Sequence, residues 1–80
     1  MTDPEIFVGV DISKARLDIA IRPEGRFAVA HDDAGVAQLL EQLRAVTPTL
    51  VVLEATGGME LPLTSALALA GLPVVVVNPR

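Results

Sequence analysis

Eighty residues allow one small domain, 51% hydrophobic and 20% charged, which is too apolar for a disordered segment. Without cysteine it has no disulfides or thiolate metal sites, in keeping with a reducing compartment, and with 2% aromatic residues its core must be built from Val, Leu, Ile and Ala. The formal charge of −4, from 6 Lys+Arg against 10 Asp+Glu, argues against a chain that grips nucleic acid by overall charge, since phosphate neutralisation supplies most non-specific affinity.

Residues 6–11 alternate, with Ile6, Val8 and Val10 on one face and Phe7, Gly9 and Asp11 on the other, as in a half-buried strand. After a tight connection at residues 12–15, Leu17, Ile19 and Ile21 alternate with Arg16, Asp18 and Arg22 in a second strand. Pro23-Glu24-Gly25 is a turn, since Pro presets φ and Gly allows positive φ, and residues 26–31 give a third strand. The period then changes. Val36, Leu39, Leu40, Leu43 and Val46 mark one face of an amphipathic helix, with Asp32 or Asp33 as its cap and Thr47-Pro48 as its end. The unbroken apolar run Leu50-Val51-Val52-Leu53 suits a parallel strand buried on both faces, and it finishes at Glu54. A loop at residues 55–58 leads to a second helix, in which Pro62 fits only within the first turn. Gly71 stops that helix, and residues 73–77 form a fifth, β-branched strand.

Neither apolar run approaches the ~20 residues a bilayer requires. The N-terminus lacks the positive flank of a signal peptide, so the chain reads as cytoplasmic. The order β-β-β-α-β-α-β, closed by two right-handed crossovers from a meander, predicts an α/β fold with a mixed five-stranded sheet ordered 3-2-1-4-5. RNase H-like folds have that order, and actin-like nucleotide-binding folds open in the same way. Both crossovers step in one direction, so both helices fall on one sheet face and the other stays bare. A bare apolar face favours self-association. It also implies that the chain continues past Arg80 in the natural protein.

Asp11 and Glu54 end the first and fourth strands. As parallel neighbours these strands lie ~4.8 Å apart, and strand C-termini are where α/β sheets bind ligands. Two adjacent carboxylates repel unless a cation or proton intervenes, and oxygen-only ligands suit Mg²⁺ or Mn²⁺. Position alone also allows Asp11 to be a turn residue, and Glu54 a helix cap or the ion-pair partner of Lys14 or Arg80. Asp18 is within range of Asp11 but reads as an exposed strand residue. Lys14 and Arg80 are either phosphate contacts or solvated charges. Thr56-Gly57-Gly58 lacks the spacing and lysine of a P-loop and reads as a strand-to-helix turn. His31 reads as a surface residue, and Met59 as core packing.

The segment Val8-Gly9-Val10-Asp11-Ile12-Ser13-Lys14, with Leu17-Asp18-Ile19-Ala20 after it, resembles the opening of the DEDD transposases of bacterial insertion sequences. The catalytic domain of that family is similar to the Holliday-junction resolvase RuvC. Val52-Leu53-Glu54-Ala55-Thr56-Gly57-Gly58 resembles the family's second acidic motif, and Val75-Val76-Val77-Asn78-Pro79-Arg80 the strand end that follows. The resemblance implies that residues 1–80 are the N-terminal part of a RuvC-like catalytic domain. Asp11 and Glu54 would then be the first two carboxylates of a metal-binding tetrad that cleaves and transfers DNA strands. It further implies two aspartates on a later helix, a downstream domain with a catalytic serine, and a guide RNA that pairs target with donor DNA. Half a metal site predicts no cleavage by this chain alone. The alternatives are an actin-like ATPase or sugar kinase, which the glycine-free Ile12-Ser13-Lys14 disfavours, and a non-catalytic dimerisation module.

Overall fold

A computed structural model describes residues 5–78. The strands are β1 (Phe7–Ile12), β2 (Arg16–Arg22), β3 (Arg26–Ala30), β4 (Leu50–Glu54) and β5 (Val74–Val77), and the helices are α1 (Asp33–Val46) and α2 (Glu60–Leu69). The sheet order is β3-β2-β1-β4-β5. β1 pairs antiparallel with β2 and parallel with β4, and β4 pairs parallel with β5. This is the expected RNase H-like, RuvC-like α/β topology. β1 begins and ends one residue later than its alternation suggests, because Ile12 still pairs with Leu17 before the chain turns.

Parity divides each strand between two environments. Val8, Val10 and Ile12 of β1, Leu17 and Ile19 of β2, and Val51 and Leu53 of β4 are buried on one face. Leu39 and Leu43 of α1 and Leu63 and Leu67 of α2 close over them, and the two helices touch each other. Each such side chain contributes about 1.5–3 kcal/mol by leaving water. The other face, with Phe7, Gly9, Asp11, Arg22, Arg26 and Glu54, carries no helix among the described residues. There Phe7, Val75 and Val77 remain exposed, as the shared direction of the two crossovers requires.

Local chemistry sets the helix ends. The Asp32 carboxylate accepts from the Gly35 N–H at 2.7 Å, so Asp32 is the cap of α1. Gly35 is buried where α1 passes β3, and a Cβ there would lie 1.7 Å from the Ala30 carbonyl oxygen. Only glycine admits so close an approach. Pro62 is the third residue of α2, where its missing N–H would have had no helical partner. No helix among the described residues is long and apolar enough to cross a membrane.

Candidate active site

The register brings the acidic residues together. Asp11 is the direct cross-strand partner of Asp18, and Glu54 lies one step beyond the Val10–Leu53 pair that joins β1 to β4. Asp18, Asp11 and Glu54 therefore form a row across β2, β1 and β4 on the uncovered face, on strands ~4.8 Å apart. They line one open depression of about 720 Å³, which also takes in Arg26.

The three carboxylates differ in their partners. Arg16 Nε–H donates to Asp18 Oδ2 at 3.0 Å, and both side chains are largely solvated. Arg16 and Asp18 are two apart on one strand face, so their side chains meet. Asp11 and Glu54 are both exposed, and among the described residues neither forms an ion pair or a side-chain hydrogen bond. The ion pair of Glu54 with Lys14 considered from the sequence does not form. Lys14 sits exposed in the β1–β2 turn, and Arg80 lies outside the described residues. No group of three or more His, Asp or Glu side chains is arranged to enclose a cation among the described residues. Asp11 and Glu54 are therefore a pair of oxygen donors with open sides, not a closed cage.

Neighbouring segments hold this edge of the sheet in place. Ser13 Oγ accepts from the Arg16 N–H at 3.2 Å and donates to the Arg16 carbonyl at 2.9 Å, closing the turn after β1. His31 is half-buried rather than simply on the surface. Its Nδ1 lies 2.6 Å from the Ser13 carbonyl, a contact that needs the proton on Nδ1. Its backbone N–H donates to Ala15 at 3.1 Å. The end of β3 is thus tied to the turn that follows Asp11.

Glu54 caps no helix, since the N-cap of α2 is Met59 with no side-chain cap bond, and it is Glu60 that holds the loop between β4 and α2. Glu60 is 7% exposed, and its Oε1 accepts from the Thr56 N–H at 2.8 Å, the Gly58 N–H at 3.1 Å and the Thr56 hydroxyl at 3.3 Å. The Thr56 N–H bond, its own backbone N–H and the other loop donors hold the Glu60 carboxyl below the ordinary glutamate range, against the opposing effect of burial. Gly57 and Gly58 take φ of 69° and 106°, a conformation open to glycine, and so turn the loop donors onto the carboxylate. Sequence reading missed Glu60. The signal was present in Thr56-Gly57-Gly58 followed by an acidic residue in the first helical turn, a relative of the capping box.

A family model described as a transposase, the DEDD transposases of the IS110 type, matches residues 8–80. Among solved structures, RuvC of Thermus thermophilus superposes with a TM-score of 0.67 at 22% sequence identity, covering 92% of this chain. At that identity the likeness speaks for the fold. The chain spans 62% of the length of the RuvC chain. No curated protein matches it in sequence.

Proposed function

The chain belongs to the DEDD transposase family, and from that premise we propose that it forms part of a metal-dependent DNA-cleaving and strand-transferring centre. Asp11 and Glu54 are its first two carboxylates. The observation that carries this reading is the β1–β4 register, which sets two exposed carboxylates side by side at the C-terminal ends of adjacent parallel strands. Like charges so placed repel, and no cation from the protein offsets them among the described residues.

The donor set fits a hard divalent cation. Mg²⁺ dehydrates reluctantly and is commonly held by one or two carboxylates, several waters and substrate phosphate oxygens. That is what an open pair supplies. When bound, such cations activate the attacking oxygen of a phosphodiester displacement and stabilise the leaving one. Asp11 and Glu54 contribute fixed negative oxygens at a sheet edge whose backbone is paired on both sides, so little reorganisation accompanies binding. The Ser13–Arg16 turn and His31 keep the end of β1 from fraying. Glu60 holds the loop that follows Glu54. Lys14, exposed in the turn after β1, and Arg80 are further candidates for phosphate contacts.

In this reading residues 1–80 are the N-terminal part of a RuvC-like catalytic domain. The remaining ligands, and the surfaces for a guide RNA, come from segments beyond it. The ATPase or sugar-kinase alternative lacks its glycine-bearing turn after Asp11 and gains nothing from the family match. Exposed Phe7, Val75 and Val77 favour burial against further protein, including a second copy, on the β1–β4–β5 side of the bare face.

The test is cleavage and strand transfer by the full-length protein in Mg²⁺. Asp11→Ala and Glu54→Gln should each abolish both, with the circular dichroism spectrum unchanged. A full-length Asp11→Ala protein that still transposes would remove the basis for the reading.

A further inference from the structure

The net charge of −4 conceals an uneven layout on the uncovered face. Four of the six basic residues are Lys14, Arg16, Arg22 and Arg26, all on β2, β3 or the turn before β2. By parity Arg16 and Arg22 share the outer face of β2 with Asp18, and Arg26 pairs with Ala20 on the same face. The outer positions between them are Ala20, Ala28 and Ala30, so the arginines stand above a floor of methyl groups. Arg16 is engaged by Asp18. Arg22 and Arg26 are exposed and form no ion pair among the described residues.

The depression that holds the carboxylates is bipolar. Asp11, Asp18 and Glu54 line one end and Arg26 the other, with Gly9, Ala20 and Ala28 between them. Strand spacings of ~4.8 Å across and ~3.4 Å per residue along put Arg26 roughly 12 Å from the Asp11–Glu54 pair in backbone position. An arginine side chain narrows that gap to a few nucleotides of DNA backbone. On the β4–β5 side the outer residues Val52, Val75 and Val77 are apolar, with Val77 beside Glu54, and Phe7 stands next to Arg22.

We infer that the outer face of β2 and β3 is a DNA-backbone track, in which Arg22 and Arg26 bind phosphates flanking the one brought to Asp11 and Glu54. This rests on the assignment of the carboxylate pair made above and adds the substrate-holding surface to it. Guanidinium groups suit the role because their planar fork meets phosphate oxygens bidentately. Flat Ala and Gly positions let the sugar-phosphate chain lie close to the sheet. The contacts carry no base information, so they act on any sequence alike.

The experiment is an anisotropy titration of a fluorescein-labelled DNA duplex with the full-length protein, at salt concentrations from roughly 50 to 200 mM. It is run in an Asp11→Asn background so that the probe stays intact. Each lost phosphate contact lowers the slope of log K against log salt by about 0.9, which at about 0.1 M salt is about 8-fold in affinity. Arg22→Gln with Arg26→Gln should therefore lower affinity about 60-fold and the slope by about 1.8. The double Lys variant should keep the slope, and Arg44→Gln, on α1 behind the sheet, should change neither quantity. Unchanged affinity and slope in the double Gln variant, with native circular dichroism, overturns the track and leaves the carboxylate assignment standing. Cleavage of the probe by the Asp11→Asn protein overturns that assignment instead, while the slope still reports on the arginines.

Discussion

Neutralising Asp11 separates a metal-binding carboxylate from a turn residue by a sign. Asp11 lies between Asp18, its partner across β2, and Glu54, one step past the β1–β4 pairing. Its carboxylate receives no hydrogen bond or ion pair among the described residues. At a separation of about 5 Å in a water-like dielectric, each like-charge pair costs about 0.8 kcal/mol. Arg16 offsets much of the Asp18 charge, and physiological salt screens the remainder over ~8 Å. Asp11→Asn should therefore stabilise the fold by about 0.5–1 kcal/mol while abolishing metal-dependent cleavage, a trade of stability for function. With a urea m-value of about 1.5 kcal/mol/M, the unfolding midpoint should rise by about 0.3–0.7 M, and less in high salt. Urea titration followed by far-ultraviolet circular dichroism reads this directly. A midpoint that falls by the equivalent of 1 kcal/mol or more would mean that the Asp11 carboxylate holds backbone donors. The reasoning from an unpartnered pair would then be refuted.

Two further outcomes follow from packing and from the loop bonds of Glu60. Gly35→Ala drives a methyl group into the Ala30 carbonyl and should cost about 1–3 kcal/mol, lowering Tm by on the order of 10 °C in a domain of this size; an unchanged melting curve would contradict the α1–β3 contact. Glu60→Gln should destabilise at neutral pH, with the gap to the parent protein narrowing in acid. The Glu60 carboxyl is held low in the fold by the Thr56 and Gly58 donors, so its stabilisation is present above the unfolded value and is lost as pH falls through the folded one. Chemical denaturation across acidic to neutral pH checks this, and a gap that widens in acid would reverse the sign.

What could be read from the sequence follows from how local each signal is. Val8, Val10, Leu17 and Ile19 announce strands because period two is written in consecutive residues, and Leu39 and Leu43 announce α1 by period 3.6. The row of Asp18, Asp11 and Glu54 needed only strand parity and the handedness of the crossovers. The Arg16–Asp18 pair follows from the same parity. Other features depend on how segments fold against each other, near or far in the chain. The bond from His31 to Ser13 joins the end of β3 to the β1–β2 turn, and nothing in either segment names its partner. Gly35 reads as an ordinary helix residue until β3 is packed against it. Glu60 looks like an ordinary acidic residue of a first helical turn, and only the positive φ of Gly57 and Gly58 turns backbone donors onto it.

The overall charge does not bear on a local track, because it averages over two faces that meet different neighbours. Phosphate attraction depends on the local field, which clefts and patches focus, and parity sends Arg22 and Arg26 to the same side as Asp11. Gly9 belongs to the same side. A Cβ there would meet nothing within 4 Å, so the described fold does not require the glycine, although glycine weakens a strand interior by roughly 0.5–1 kcal/mol relative to alanine. In a strand, such a residue marks where another backbone or a ligand comes close. Gly9 sits two residues before Asp11, in one row across the strands with Ala20 and Arg26. A polyanion reaching from the carboxylates to Arg26 would pass beside it, about 5 Å away by strand spacing. On the proposed track, the cost in strand stability, the methyl-lined floor and the exposed Arg22 and Arg26 would share one physical cause, the close approach of a nucleic-acid backbone to this face.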